Sequence, residues 1–420
     1  MTPNQKLAAR LKAVEQPNMT HYPAEATLPF LHSGANDILK DADGKQYYDF
    51  GACFGVLALG HNPNFLHDLA YRRYMCGHLV HGMGDVYPSE EKVLLMERLA
   101  RLTGFPKGSL TISGFEAVEF ALKTAELATG RHAFVAFDNA YHGLGYLTMS
   151  LTDGLEFSIP FGPRVSAREG YRCPTPRTAG SQRAALGELQ HVLHNQTIAA
   201  VVVEPVQARG GCYVVGEAFL RGAKELFAIY GTALIFDEIF CGCWRCANTP
   251  DDPPFVYQQI GVEPDLVCIG KGMTGGFPIS AVYGSEAIMR SWPISQGYAL
   301  HTTTFVGHPL SCAAANECLA ALENPALQER RANRVVDLEN VLIDACNSSG
   351  RGWQWCGQGL LQGIKMTPVE VERVVAFLLR EGIICLPCGH GTVVQFSPPF
   401  TLSDAALAHL GQTLTKYLRA

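Results

Sequence analysis

Short apolar runs alternate with amphipathic stretches along most of this chain. After an opening segment, "MTPNQKLAARLKAVEQ", that reads as a short amphipathic helix, "ILKDADGKQYYDF" reads as a hairpin with Asp43-Gly44 at its turn. From about residue 90 a regular rhythm sets in. "SEEKVLLMERLARLTG" is predicted to be a helix capped by Ser89 and stopped by Gly104. A second helix is expected in "GFEAVEFALKTAELATG", then strands in "HAFVAFD" and "AAVVVEPV". A helix over "GEAFLRGAKELFAIYG" and a strand over "TALIFDEI" follow. Val/Ile-rich runs of this length, separated by helices, predict a mainly parallel sheet covered on both faces. Beyond residue 310 the pattern becomes mixed. "PLSCAAANECLAALEN" starts a helical region, "GLLQGIKM" and "TVVQFSPPF" are strand-like, and "LSDAALAHLGQTLTKYL" is a closing helix.

Composition narrows the class without choosing a function. A chain of 420 residues with 47% hydrophobic and 17% charged positions is long enough for a large core and more than one domain. The net charge of −6 and the absence of Lys/Arg runs argue against a nucleic-acid partner. The longest apolar runs, such as "IAAVVV", are too short to span a bilayer, and the N-terminus lacks a signal-peptide core, so no membrane role is expected. Fourteen cysteines without a secreted-domain framework read as reduced thiols of a cytoplasmic protein.

Candidate chemistry begins with "DLVCIGKGMTGGFPIS". It delivers Lys271 to the end of an apolar strand, among Gly270, Gly272, Gly275 and Gly276. Most lysines are solvated surface charges. One held at a strand end and partly desolvated can lose its proton and form a Schiff base. In "ALIFDEI", Asp237 and Glu238 end a buried strand, where a carboxylate needs a cationic partner. That partner is either a structural Arg or Lys or a protonated ring nitrogen. "ISGFE" sets Ser113, Gly114 and Phe115 at a helix start, which fits an ordinary cap or a phosphate held on free N–H groups. Tyr141 in "NAYHG" is either core or a surface on which a flat ring stacks.

In this order the motifs resemble the class III aminotransferase family, one of the fold-type I pyridoxal-phosphate enzymes. The resemblance runs from "DADGKQYYDF" and "LGHNPN" through "SGFEAVEFALKTA", "YHG", "VVVEPVQARGG" and "LIFDEI". It continues through "DLVCIGKGMTGGFPISA", "HTTTFVGHPLSCAAA" and "GQGLLQGIKM" to "QFSPPFTLS". It implies an α/β fold, with a seven-stranded, mainly parallel sheet in a large domain spanning 61–309. A smaller α+β domain would draw on both termini, 1–60 and 310–420. The implied activity moves an amino group from a donor amino acid to a ketone or aldehyde through a Lys271 Schiff base with pyridoxal 5′-phosphate. An aminomutase, racemase/epimerase or decarboxylase on the same scaffold is the alternative, because ring and lysine serve all of these reactions.

Residue by residue, the resemblance implies that Lys271 carries the proton and Asp237 partners the ring nitrogen. Gly114 and Phe115, beside Ser113, hold the phosphate, and Tyr141 and Ile239 cover the two ring faces. Glu204 lies beside the cofactor, and Thr304 reaches the phosphate of a second subunit, which makes the enzyme a homodimer with active sites at the interface. Phe240 stands where many members have a glutamine. Gln395 stands where those that bind an α-carboxylate have arginine. A glutamine cannot grip carboxylate as arginine does. The expected acceptor therefore lacks a carboxylate next to its reacting carbon, as in an amino-sugar precursor or an intermediate of specialised metabolism. Arg245 is expected to be structural. Cys241, Cys243 and Cys246 lack the second ligand pair of a zinc site, so no metal is expected.

Overall fold

The computed structural model describes residues 1–16, 28–69, 71, 75–77, 80, 84, 86–162 and 170–419. Its centre is a seven-stranded sheet. In chain order the strands are β1 (Lys107–Thr111), β2 (Ala133–Phe137), β3 (Gly170–Cys173), β4 (Ile198–Val203), β5 (Ala233–Asp237), β6 (Leu266–Ile269) and β7 (Ser280–Gly284). Across the sheet they run β1-β7-β6-β5-β4-β2-β3. All neighbours between β6 and β3 pair in parallel, and β7 alone is antiparallel, to both β6 and β1. Every residue of β2, β4, β5, β6 and β7 is buried. That is why these runs read as continuously apolar rather than alternating.

Helices Glu90–Thr103, Gly114–Thr129, Ala179–Asn195 and Glu217–Tyr230 accompany the sheet. Ser89 accepts from the Lys92 N–H, and Gly104 ends its helix at φ 73°, a left-handed conformation that glycine adopts without strain. The predicted hairpin forms, Ile38–Asp41 against Gln46–Asp49, and Ile383–Ile384 joins it in parallel to Tyr48-Asp49. N-terminal and C-terminal segments thus share one sheet. A second four-stranded antiparallel sheet is built from Gln354–Gln358, Leu361–Lys365, Val393–Phe396 and Leu386–Cys388. No described helix is long and apolar enough to cross a membrane.

The topology gathers the candidate chemistry. Parallel strands end on one side of the sheet, and a site forms where loops leave those ends. Residues 139–143 follow β2, Glu204 follows β4, Asp237 closes β5, Lys271 follows β6, and the helix at Gly114 follows β1.

Candidate active site

These ends line one cavity of about 390 Å³, whose walls include Ser113, Tyr141, Glu204, Asp237, Ile239 and Lys271. Lys271 occupies a one-turn 3₁₀ segment, Lys271–Met273, and itself takes φ 35°. The left-handed conformation falls on the lysine as well as on Gly275 and Gly276, at 62° and 96°. A non-glycine residue held there costs about 1–3 kcal/mol, which the surrounding fold must offset. Lys271 is half-buried and lines the cavity, and its Nζ stands 4.6 Å from the Phe240 ring centroid. Burial pushes the amine below its ordinary pKa, and the charges of Asp237 and Glu204 oppose that only in part. Phe240 thus places a ring face against the amine, where a glutamine would offer an amide.

Asp237 is 5% exposed and is held from two sides. Its Oδ2 lies 2.8 Å from His142 Nδ1, and its Oδ1 accepts the Ile239 N–H at 3.2 Å. The other imidazole nitrogen, Nε2, is buried without a partner among the described residues, and His142 also lines the cavity. His142 sits inside the "YHG" motif, but reading that motif for an aromatic passed it over. Glu204 accepts the Tyr141 N–H at 2.8 Å, and burial pushes its pKa up to about 7, with His142 pulling down and Asp237 pushing further up.

At the helix start, the Glu116 carboxylate accepts from Ile112 N–H, Ser113 N–H and Ser113 Oγ–H at 2.9–3.1 Å. The carboxylate thus folds back on the cap, while the N–H groups of Gly114 and Phe115 lie in the first turn, before intrahelical bonding begins. Gly114 is close under Ile239, since a Cβ there would stand 3.0 Å from Ile239 Cδ1. Gly143, at φ 105°, lets the 141–143 loop press on the same helix start, where a Cβ would fall 2.3 Å from Phe115 Cβ. Tyr141 carries the Arg209 guanidinium over its ring, 4.5 Å from the centroid, so one face is already covered. Arg209 also lines the cavity, and the sequence reading gave it no role.

Two of the expected residues lie elsewhere. Gln395 is 4% exposed, outside the cavity wall, and its amide donates to the Ala208 carbonyl at 3.4 Å. Thr304 is exposed and also outside the wall. Glu238, read beside Asp237 as a carboxylate in need of a cation, instead accepts the N–H groups of Val256 and Tyr257, both at 2.8 Å. Arg245 is structural: buried, it donates to the carbonyls of Gly55, Leu360 and Pro398. Cys241, Cys243 and Cys246 are buried thiols, and among the described residues no group of three or more His, Cys, Asp or Glu could hold a metal.

The cavity fits pyridoxal phosphate on its own terms. It offers a desolvated amine, a braced carboxylate and unbonded first-turn N–H groups for a phosphate. An aromatic ring in the cavity wall and an isoleucine packed on Gly114 at the helix start complete it.

Comparison with known proteins agrees. The sequence model of the aminotransferase class-III family matches residues 21–418. A 4-aminobutyrate aminotransferase of Mycobacterium leprae (strain TN) is 30% identical over 422 residues, 93% of this chain and 91% of that protein. The 5-aminovalerate aminotransferase DavT of Pseudomonas aeruginosa is 32% identical over 397 residues, 89% of each chain. The crystal structure of the ornithine aminotransferase from Toxoplasma gondii ME49 superposes with a TM-score of 0.86 at 24% identity. It covers 100% of this chain and 96% of that one.

Proposed function

Because the chain belongs to the class-III aminotransferase family, a pyridoxal-phosphate enzyme of fold type I that transfers amino groups, we propose the following division of labour among its residues. When bound, the cofactor supplies an aldehyde for the amino group and a ring that withdraws electrons from the carbon bearing it. Asp237 holds the proton on the ring nitrogen, and His142, donating through Nδ1, keeps Asp237 oriented toward it. Lys271 Nζ takes the proton from the substrate carbon that bears the amino group and returns it on the far side of the transfer. The amine can do so because burial favours its neutral form. The N–H groups of Gly114 and Phe115, beside Ser113, bind the phosphate, while Tyr141 and Ile239 orient the ring. Glu204 lies beside the reacting groups and holds the Tyr141 loop.

The observation that carries this reading is the shared cavity of a desolvated Lys271 and an Asp237 already held by His142. Borohydride reduction of the holoenzyme followed by peptide mapping tests it. The pyridoxyl label belongs on Lys271, and a label on another lysine would overturn the assignment.

The enzyme is further proposed to act as a cytoplasmic homodimer with active sites at the subunit interface, Thr304 from one protomer reaching the phosphate site of the other. Exposed apolar side chains near Thr304, namely Tyr298, Leu300 and Phe305, support a covered surface there, and fourteen free thiols suit a reducing compartment. Sedimentation equilibrium of wild type and Thr304→Ala, with cofactor retention measured on both, tests the shared site. The relatives named above act on 4-aminobutyrate and 5-aminovalerate, so the proposed donors are amino acids of that kind.

A further inference from the structure

The cavity walls carry two carboxylates, Asp237 and Glu204, and two basic side chains, Lys271 and Arg209. The proposed mechanism employs all but Arg209. Several other arginines in this fold are bound by acceptors: Arg131 donates to the carbonyls of Ile198, Tyr230 and Gly231, and Arg331 to Gln328 and Thr249. The Arg209 guanidinium rests on the Tyr141 ring, with no carboxylate or carbonyl bound to it among the described residues. Its planar fork of N–H donors remains open beside the reacting groups.

The backbone beneath this side chain is fixed. The Arg209 carbonyl accepts the Gly389 N–H at 2.7 Å, and the Ala208 carbonyl accepts from Cys212 N–H at 3.3 Å and from Gln395 at 3.4 Å. Gly210 packs so tightly that a Cβ would stand 2.6 Å from the Asn139 carbonyl oxygen. A guanidinium stacked on an aromatic ring above a pinned turn is preorganised to receive a planar anion in two parallel hydrogen bonds. An anionic substrate entering this cavity meets Asp237 and Glu204, and a carboxylate left there unpaired would cost more than its other contacts return.

We infer that Arg209 binds the carboxylate of the substrate, whether on the donor amino acid or on the acceptor keto acid, and sets the preference for carboxylate-bearing substrates over simple amines and aldehydes. Gln395 then serves the turn rather than the substrate, by holding the carbonyl that precedes Arg209. The glutamine at 395 does not leave the site without a carboxylate partner, because the cation arrives from a different loop. The inference rests on the amino-transfer reading above.

The test compares wild type, Arg209→Gln and Arg209→Lys holoenzymes. In one arm, kcat/KM is measured for 4-aminobutyrate, glutamate and n-butylamine as donors with one fixed acceptor. In a second arm, pyruvate and butanal are compared as acceptors with one fixed donor, which separates a grip on the donor from a grip on the acceptor. In a third, glutarate, an unreactive dicarboxylate, is titrated calorimetrically into each protein. In Arg209→Gln the ratio of carboxylate-bearing to carboxylate-free kcat/KM should fall roughly ten- to a hundredfold in at least one of the first two arms. The change should lie mainly in KM, and glutarate should weaken by a similar factor. Arg209→Lys should recover part of both. An unchanged ratio in both arms, or an equal loss with charged and neutral substrates, would overturn the inference. So would unchanged glutarate binding. If wild type transfers no amino group from any donor, the amino-transfer reading fails, and the glutarate arm still decides the role of Arg209.

Discussion

His142 Nδ1 lies 2.8 Å from Asp237 Oδ2, with the imidazole wholly enclosed and the carboxylate nearly so. A buried carboxylate needs partners for its lone pairs, and this one finds them in an imidazole and in the Ile239 N–H. The role proposed for His142 is therefore to act through Asp237. His142→Ala should lower kcat roughly ten- to a hundredfold while donor KM stays nearly constant, because a buried hydrogen bond to a charged group contributes about 1.5–3 kcal/mol. His142→Asn, which retains a donor, should recover part of the rate, and stopped-flow single turnovers would read both.

Asp237→Asn should keep cofactor but lose about three powers of ten in rate, since an amide cannot hold a proton on the ring nitrogen as a carboxylate does. If His142 works only through Asp237, adding His142→Ala to this variant should cost little more. A full additive loss in the double mutant would show separate roles.

Lys271→Met should abolish transfer and the reductive label. The apoprotein should also become more stable. The amine's folded-state pKa lies below its ordinary value of 10.5, so the unfolded chain takes up the proton first as pH falls through that value. The resulting penalty is present at neutral pH, and methionine removes it at similar volume. A thermal midpoint of apo Lys271→Met below that of apo wild type at pH 7 would contradict this.

Glu204 gives a second pH signature. Its pKa is raised from 4.5 to about 7 by burial, so the unfolded chain releases this proton earlier as pH rises. Its contribution to stability is therefore greatest below about pH 4.5, falls through the interval up to about 7, and levels off above. Glu204→Gln should lose that slope and gain up to about 3 kcal/mol relative to wild type between pH 4.5 and 8. Urea midpoints of the apoproteins at the two pH values provide the comparison, and parallel curves would refute it.

Glu238→Ala should destabilise by about 2–4 kcal/mol, because it strips acceptors from two buried N–H groups, those of Val256 and Tyr257. Glu238→Gln, which keeps one acceptor oxygen, should lose less. Equal losses in chemical denaturation would mean that the hydrogen bonds are not the cause.

Much of this enzyme was legible in its order of residues. Continuous apolar runs between glycine-capped helices announced a buried parallel sheet, since strands covered on both faces have no polar side to alternate with. Strand β7 was not announced. Its five residues look like any other buried strand, and its antiparallel direction depends on the return path after Lys271, which no local pattern records. Lys271 and Asp237 stood out as candidates because each stands at the end of an apolar run, where a charged residue is costly without a partner.

His142, Arg209 and Gln395 mark where sequence stopped. His142 and Asp237 are 95 residues apart, and Arg209 and Gln395 stand 186 apart. Each of these polar residues reads alone as a common loop or strand position. Only the sheet, by bringing the ends of β2, β4 and β5 to one rim, puts the imidazole against the carboxylate and the guanidinium over Tyr141. The same packing turns Gln395 inward to the Ala208 carbonyl. The sequence by itself determined the elements and marked Lys271 as the candidate lysine at a strand end, because propensity, burial pattern and turn chemistry act over a few residues. Tertiary structure decided which polar groups face one another, because hydrogen bonds and ion pairs act through space and are blind to separation along the chain.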